Sequence, residues 1–216
     1  MRKYALALTA TSALLASTSL ANAVVILTFG QSASNQAIVA TENGAQTATT
    51  LSAVDVPIGI TQIENGVPTS AFFDMSASSV GAATPILGGT AQKFSGSFSI
   101  NSLANNTGTN YLSGTFTDVT FGTGPGGALS VGAPPDSLAY TSSVITTLNL
   151  PAGIGLGFAN VLPGFTQVGN SIGSFTSSVS GTFSANVVEA YEPGSLALMG
   201  VGLLGLTFIA RRRVNR

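Results

Sequence analysis

The sequence predicts an all-β protein: an antiparallel β-sandwich, of which a jelly roll is one form, flanked by an N-terminal signal-peptide helix and a C-terminal transmembrane helix. Three observations lead there. Long stretches alternate apolar and hydroxyl side chains with a period of two; Gly, Asn and Pro punctuate those stretches; and no amphipathic soluble helix interrupts them. The expected division is a signal peptide at 1–23, a β domain at 24–188 and an apolar, arginine-ended tail at 189–216 whose helix covers about 195–210.

The N-terminus opens with Arg2 and Lys3, continues through the uncharged stretch "ALALTATSALLASTSL" and reaches Ala21-Asn22-Ala23. A short positive region, an apolar segment and small residues at −3 and −1 make up a secretory leader. Signal peptidase is therefore expected to cut after Ala23, with Ala21 and Ala23 as the small residues it reads.

Period-two patterning is clearest from Ser174 to Val187. Odd positions carry Phe175, Val179, Gly181, Phe183, Ala185 and Val187 with one exception, Ser177, while every even position is polar. A strand with one dry and one wet face has this signature. Phe94, Gly96, Phe98 and Ile100 repeat it, alternating with Ser95, Ser97 and Ser99. In the next segment Leu112, Gly114 and Phe116 share one parity but Val119 and Phe121 take the other, so a bulge or strand end is expected near Asp118. A Ser-Gly-[Ser/Thr]-Phe-[Ser/Thr] core recurs at Ser95, Ser113 and Ser180; its irregular spacing indicates recurrent strand chemistry rather than a solenoid. Asn43-Gly44 and Asn65-Gly66 signal hairpin turns, and Asn105-Asn106-Thr107, the stretch from Gly122 and the stretch from Ala133 read as loops.

Composition narrows the chemistry. Only 7% of residues are charged, against roughly 25% in a typical soluble protein. There is no Cys, His or Trp, which removes thiolate and imidazole nucleophiles, bases and metal ligands. From Val24 to Pro193 one lysine, Lys93, stands against eight acids, a net charge of −7, so no nucleic acid is expected as a partner. Asp55, Glu64, Asp74, Asp118 and Asp136 have no motif around them, and no Ca²⁺-loop pattern occurs. No catalytic residue, cofactor or metal site is expected. Tyr111 and Tyr140, the body's tyrosines, read as partly buried packing rather than sugar platforms.

The C-terminal run Leu196–Ala210 is uncharged and is followed by Arg211, Arg212 and Arg213. Fifteen helical residues span ~22 Å, and starting the helix at Tyr191 with the arginines snorkelling brings the segment to membrane length. The arginines act as a cytoplasmic stop, leaving the body outside. Gly200, Gly202 and Gly205 spell a dinucleotide fingerprint, but no strand leads into it and no acid follows, so that match is rejected.

Glu192-Pro193-Gly194-Ser195-Leu196, the glycine-interrupted apolar run and the three arginines together resemble the PEP-CTERM sorting tail of Gram-negative bacteria. Tyr191 stands where that family has its first proline, so Glu192 and Pro193 are the recognition residues carried over. The resemblance implies recognition by exosortase, a membrane transpeptidase-like enzyme, and association with exopolysaccharide, biofilm and the cell surface. It thus implies an exported, non-enzymatic surface or matrix protein, first held in the inner membrane. Two alternatives stand beside it: a secreted carbohydrate-active enzyme using a pair of body carboxylates, and a β domain anchored permanently by its tail.

Overall fold

Thirteen strands account for most of the described chain, and the pattern of side chains along each one explains which way it faces. In a computed structural model, residues 23–33, 37–86, 89–123, 129–132, 137–146 and 148–186 are described. The signal-peptide and tail helices expected from the sequence lie outside them. The strands are β1 (Ala23–Gln31), β2 (Ile38–Glu42), β3 (Thr49–Ile63), β4 (Thr69–Ser79), β5 (Thr84–Ile86), β6 (Gly89–Leu103), β7 (Thr107–Thr123), β8 (Leu129–Gly132), β9 (Leu138–Thr141), β10 (Asn149–Leu162), β11 (Gln167–Val168), β12 (Ser171–Ile172) and β13 (Phe175–Asn186). Every ladder among them is antiparallel.

Several neighbouring strands are pieces of one interrupted strand. β1 and β2 run end to end between β13 and β3: Gly30 faces Ser180 and Gly59, and Val39 faces Thr176 and Ser52. β5 continues β4 along β6, and β8 and β9 share the free edge of β7. Reduced to positions, the sheet reads β10, β13, β1/β2, β3, β4/β5, β6, β7, β8/β9. From β1 to β9 each position follows its predecessor through a hairpin, and β10 returns alongside β8 and β9. The sheet is therefore a curled meander whose halves face each other across one core, as in a sandwich. The jelly-roll form is not adopted, because sequence neighbours pair with each other instead of crossing over in Greek keys.

Nine phenylalanines run through an otherwise aliphatic core. Phe98 of β6 and Phe183 of β13 come from opposite sides of the ring of strands and stack at 4.7 Å between centroids, with Tyr140 edge-on to both. Phe29 lies between Phe73 at 5.1 Å and Phe183 at 6.0 Å, and Phe121 bridges Phe94 and Phe158. Such contacts add about 0.5–1.5 kcal/mol each beyond area burial. The recurring Ser-Gly-x-Phe core now has a cause. A side chain at Gly114 would come within 2.8 Å of Phe98 and Tyr140, one at Gly181 within 2.7 Å of Phe29, and one at Gly96 within 2.6 Å of the Ala77 backbone. Each glycine leaves the room that a neighbouring strand or ring occupies.

The expected parity switch in β7 is a bulge: Phe94 faces Val119 and Gly96 faces Phe116, and Asp118 takes φ 54° with its N–H donated to Ser95 Oγ at 3.1 Å. Asn43-Gly44 does form the β2–β3 hairpin, where Asn43 exchanges two hydrogen bonds with Thr47. Asn65, at φ 58°, turns β3 into β4, and Asn105 and Asn106, both at positive φ, turn β6 into β7. Gln92 continues the apolar parity of β6 into the core and is 2% exposed.

Ser177, the polar exception on the dry face of β13, is fully buried, and its hydroxyl has no hydrogen-bond partner. An unsatisfied buried hydroxyl costs about 1–3 kcal/mol. Ser177→Ala is therefore expected to raise unfolding stability by ~1 kcal/mol, read as a higher urea midpoint at unchanged m. A lower midpoint would show that the hydroxyl has a stabilising partner.

Candidate functional site

Of the acids singled out from sequence, the fold brings two together. Residues Val54 and Asp55 bulge out of β3 opposite Asp74 of β4, and Asp55 adopts φ 49°. The bulge frees the Asp55 N–H, which donates to Asp74 Oδ1 at 2.9 Å. Asp55 Oδ1 in turn accepts the Asn105 N–H at 2.5 Å, so the β6–β7 turn leans onto the pair. Beside it Asn106 Oδ1 accepts from Ser99 Oγ and, at 3.2 Å, from Asn101 Nδ2. The result is a polar cluster of the two carboxylates, the Asn106 carboxamide of the turn, the Asn101 carboxamide of β6 and the Ser99 hydroxyl.

The electrostatics follow from that packing. Burial under the turn raises the pKa of Asp74 above its ordinary 3.8; the Asp55 N–H pulls it back, and the nearby Asp55 charge pushes it up again. Asp74 Oδ2 is buried without a hydrogen-bond partner. The carboxyl thus holds a proton more readily in the folded chain than in the unfolded one, and the group's contribution to stability falls as pH rises from 3.8 through the folded pKa. Asp74→Asn keeps an acceptor for the Asp55 N–H and carries no charge. Its stability relative to the parent is expected to be near zero below pH 3.8 and to increase with pH until it levels off; a difference independent of pH would contradict the assignment.

Chemically, the pair differs from a glycosidase dyad, in which two carboxylates face a sugar from opposite sides of a cleft. One oxygen of each acid is committed to a backbone N–H that a bulge or turn would otherwise leave unpaired. The remaining acids are on separate elements: Glu42 Oε1 accepts the Gln46 N–H at 2.7 Å, Glu64 opens the turn after β3, and Asp118 forms the β7 bulge. Asp136 lies outside the described residues. Among the described residues, no three acids converge as a metal would require.

Tyr111 and Tyr140 both pack against the core, as the sequence suggests. The Tyr140 hydroxyl donates to the Gly153 carbonyl at 2.6 Å across the β9–β10 seam, and burial raises its pKa. Neither ring is a free stacking platform. Sequence reasoning missed the pairing of Asp55 with Asp74. The available signal was the parity switch in β3, from Leu51 and Ala53 to Val56 and Ile58, which marks a bulge as the switch in β7 does.

Of the residues assigned to sorting and export, Ala23 is the first described residue and pairs with Asn186. Ala21, Glu192, Pro193, Arg211, Arg212 and Arg213 lie outside the described residues. Among the described residues no helix is long and apolar enough to cross a membrane. Residues 192–213 match the PEP-CTERM protein-sorting motif, a span that contains Glu192, Pro193 and all three arginines. The chain matches no curated protein and no solved structure.

Proposed function

We propose, for a chain that carries the PEP-CTERM protein-sorting motif at residues 192–213, that it is an exported, non-enzymatic surface or matrix protein. In this reading the leader directs export and the tail holds the body at the outer side of the inner membrane. An exosortase-type enzyme then cuts near Glu192-Pro193, and the β body passes to the cell surface or the surrounding exopolysaccharide. The body is structural or weakly adhesive, offering an outer face rich in Ser and Thr to polysaccharide or to other copies.

The match at 192–213 carries this reading. Support from the body is chemical: among the described residues, the Asp55–Asp74 pair is bonded to backbone N–H groups, and the strands enclose a core of Phe, Ile, Leu and Ala side chains. Intact-mass analysis of the protein from membrane and matrix fractions is the test. A matrix product beginning at Val24 and ending near Pro193 is the expected result. A full tail in every fraction would replace sorting with permanent anchoring.

A further inference from the structure

Resting on the reading that the tail is held in the membrane, we infer that one particular end of the β body docks on the outer bilayer surface while the tether is intact. Chain connectivity selects that end. β1 starts and β13 finishes side by side, with Ala23 paired to Asn186 and Asn149 of β10 paired to Asn186 on its other side. The same strand ends lead into the turns at 64–68, 104–106 and 142–148. The opposite end carries the β2–β3 hairpin and the 163–174 connection.

Only residues 187–191 separate Asn186 from the sorting motif at 192. Five residues reach at most ~18 Å. The fifteen residues of β3 run ~50 Å along the strand, so the tether is short against the body it holds. The end bearing Asn186 must therefore stay near the lipid.

Its surface suits that position. Val67, in the 64–68 turn, and Leu103, at the end of β6, are 75% and 58% exposed, and Val24 is also exposed. Glu64 is the one charged residue among the described residues of those turns and of the Ala23 and Asn186 strand ends. Exposed apolar residues occur at the far end too, at Val80 and Ile86, so apolar exposure alone does not choose between the ends. Connectivity does; Glu64 is the one charge in the turns themselves, and the Asp55 carboxylate beneath the 104–106 turn is already bonded to the Asn105 N–H.

The chain has no cysteine, so single-cysteine probes need no background substitutions. The full-length protein carrying V67C, L103C, V80C or I86C, each labelled with an environment-sensitive fluorophore, is reconstituted in phosphatidylethanolamine–phosphatidylglycerol vesicles containing a lipid-bound quencher. Quenching several-fold stronger at V67C and L103C than at V80C and I86C is expected. Equal or reversed quenching in protein that floats with the vesicles overturns the orientation but leaves the tail reading standing. Failure to float overturns the tail reading and the orientation with it. Shielding of V67C that the lipid quencher does not reach assigns this end to a second copy, which also overturns the inference.

Discussion

Gly181→Val is expected to destabilise the body by ~3 kcal/mol and to lower Tm by about 6–12 °C. Gly181 faces Phe29 across the β1–β13 ladder, and the ring lies over the glycine where a side chain would stand. Phe29 has nowhere to retreat, because Phe73 and Phe183 flank it at 5.1 and 6.0 Å. Gly30, on the next residue of the same strand, has nothing within 4 Å of its missing Cβ. Gly30→Ala is accordingly expected to be neutral, which separates a packing effect from a general intolerance of substitution in these strands. Replacing Phe29 by Leu in the Gly181→Ala background should recover part of the loss, since the smaller side chain vacates the space; the coupling measured by that cycle tests the contact itself. If Gly181→Val melts with the parent, the account of the Ser-Gly-x-Phe recurrence is wrong.

Gln92→Ala is expected to cost ~3 kcal/mol, for a different reason. Gln92 Nε2 donates to the Gly81 carbonyl at 2.9 Å, and Oε1 accepts the Ile172 N–H at 3.0 Å. The carboxamide joins the 163–174 connection to β6 and to the turn after β4. Around it Ala83 N–H bonds Asn170 O at 2.7 Å and Thr49 Oγ1 bonds Ile172 O, so the connection is laid over one end of the core by polar contacts. Removing the side chain leaves the Ile172 N–H buried without its acceptor. Gln92→Leu keeps much of the volume but not the bonds, and is expected to be destabilised as well. Limited proteolysis should then cut first within 163–174. Cleavage elsewhere, or a Leu variant as stable as the parent, would show that packing and not hydrogen bonding seats this connection.

Local chemistry made much of the body legible. Alternation along Phe175–Asn186 survives as alternating burial, and the switch at Asp118 is a bulge because a two-residue period can change phase only where an extra residue enters the ladder. Asn-Gly and Asn-Asn pairs mark turns because asparagine tolerates positive φ. Gln92 was readable only as a polar residue on an apolar parity; its partners are the Gly81 carbonyl, eleven residues away, and the Ile172 N–H, eighty away. Asp55 and Asp74 are nineteen apart in sequence and meet only because β3 and β4 pair in one register, with a bulge between them.

From sequence alone came strand character, the turns and the tripartite tail, since backbone pleat, positive-φ tolerance and membrane-length apolar runs are written in neighbouring residues. Tertiary structure decided which strands adjoin, that β1/β2, β4/β5 and β8/β9 are interrupted single positions, and which acids and glycines touch. Those outcomes depend on register between distant segments, where many pairings satisfy the same local pattern and only the filling of one shared core selects among them.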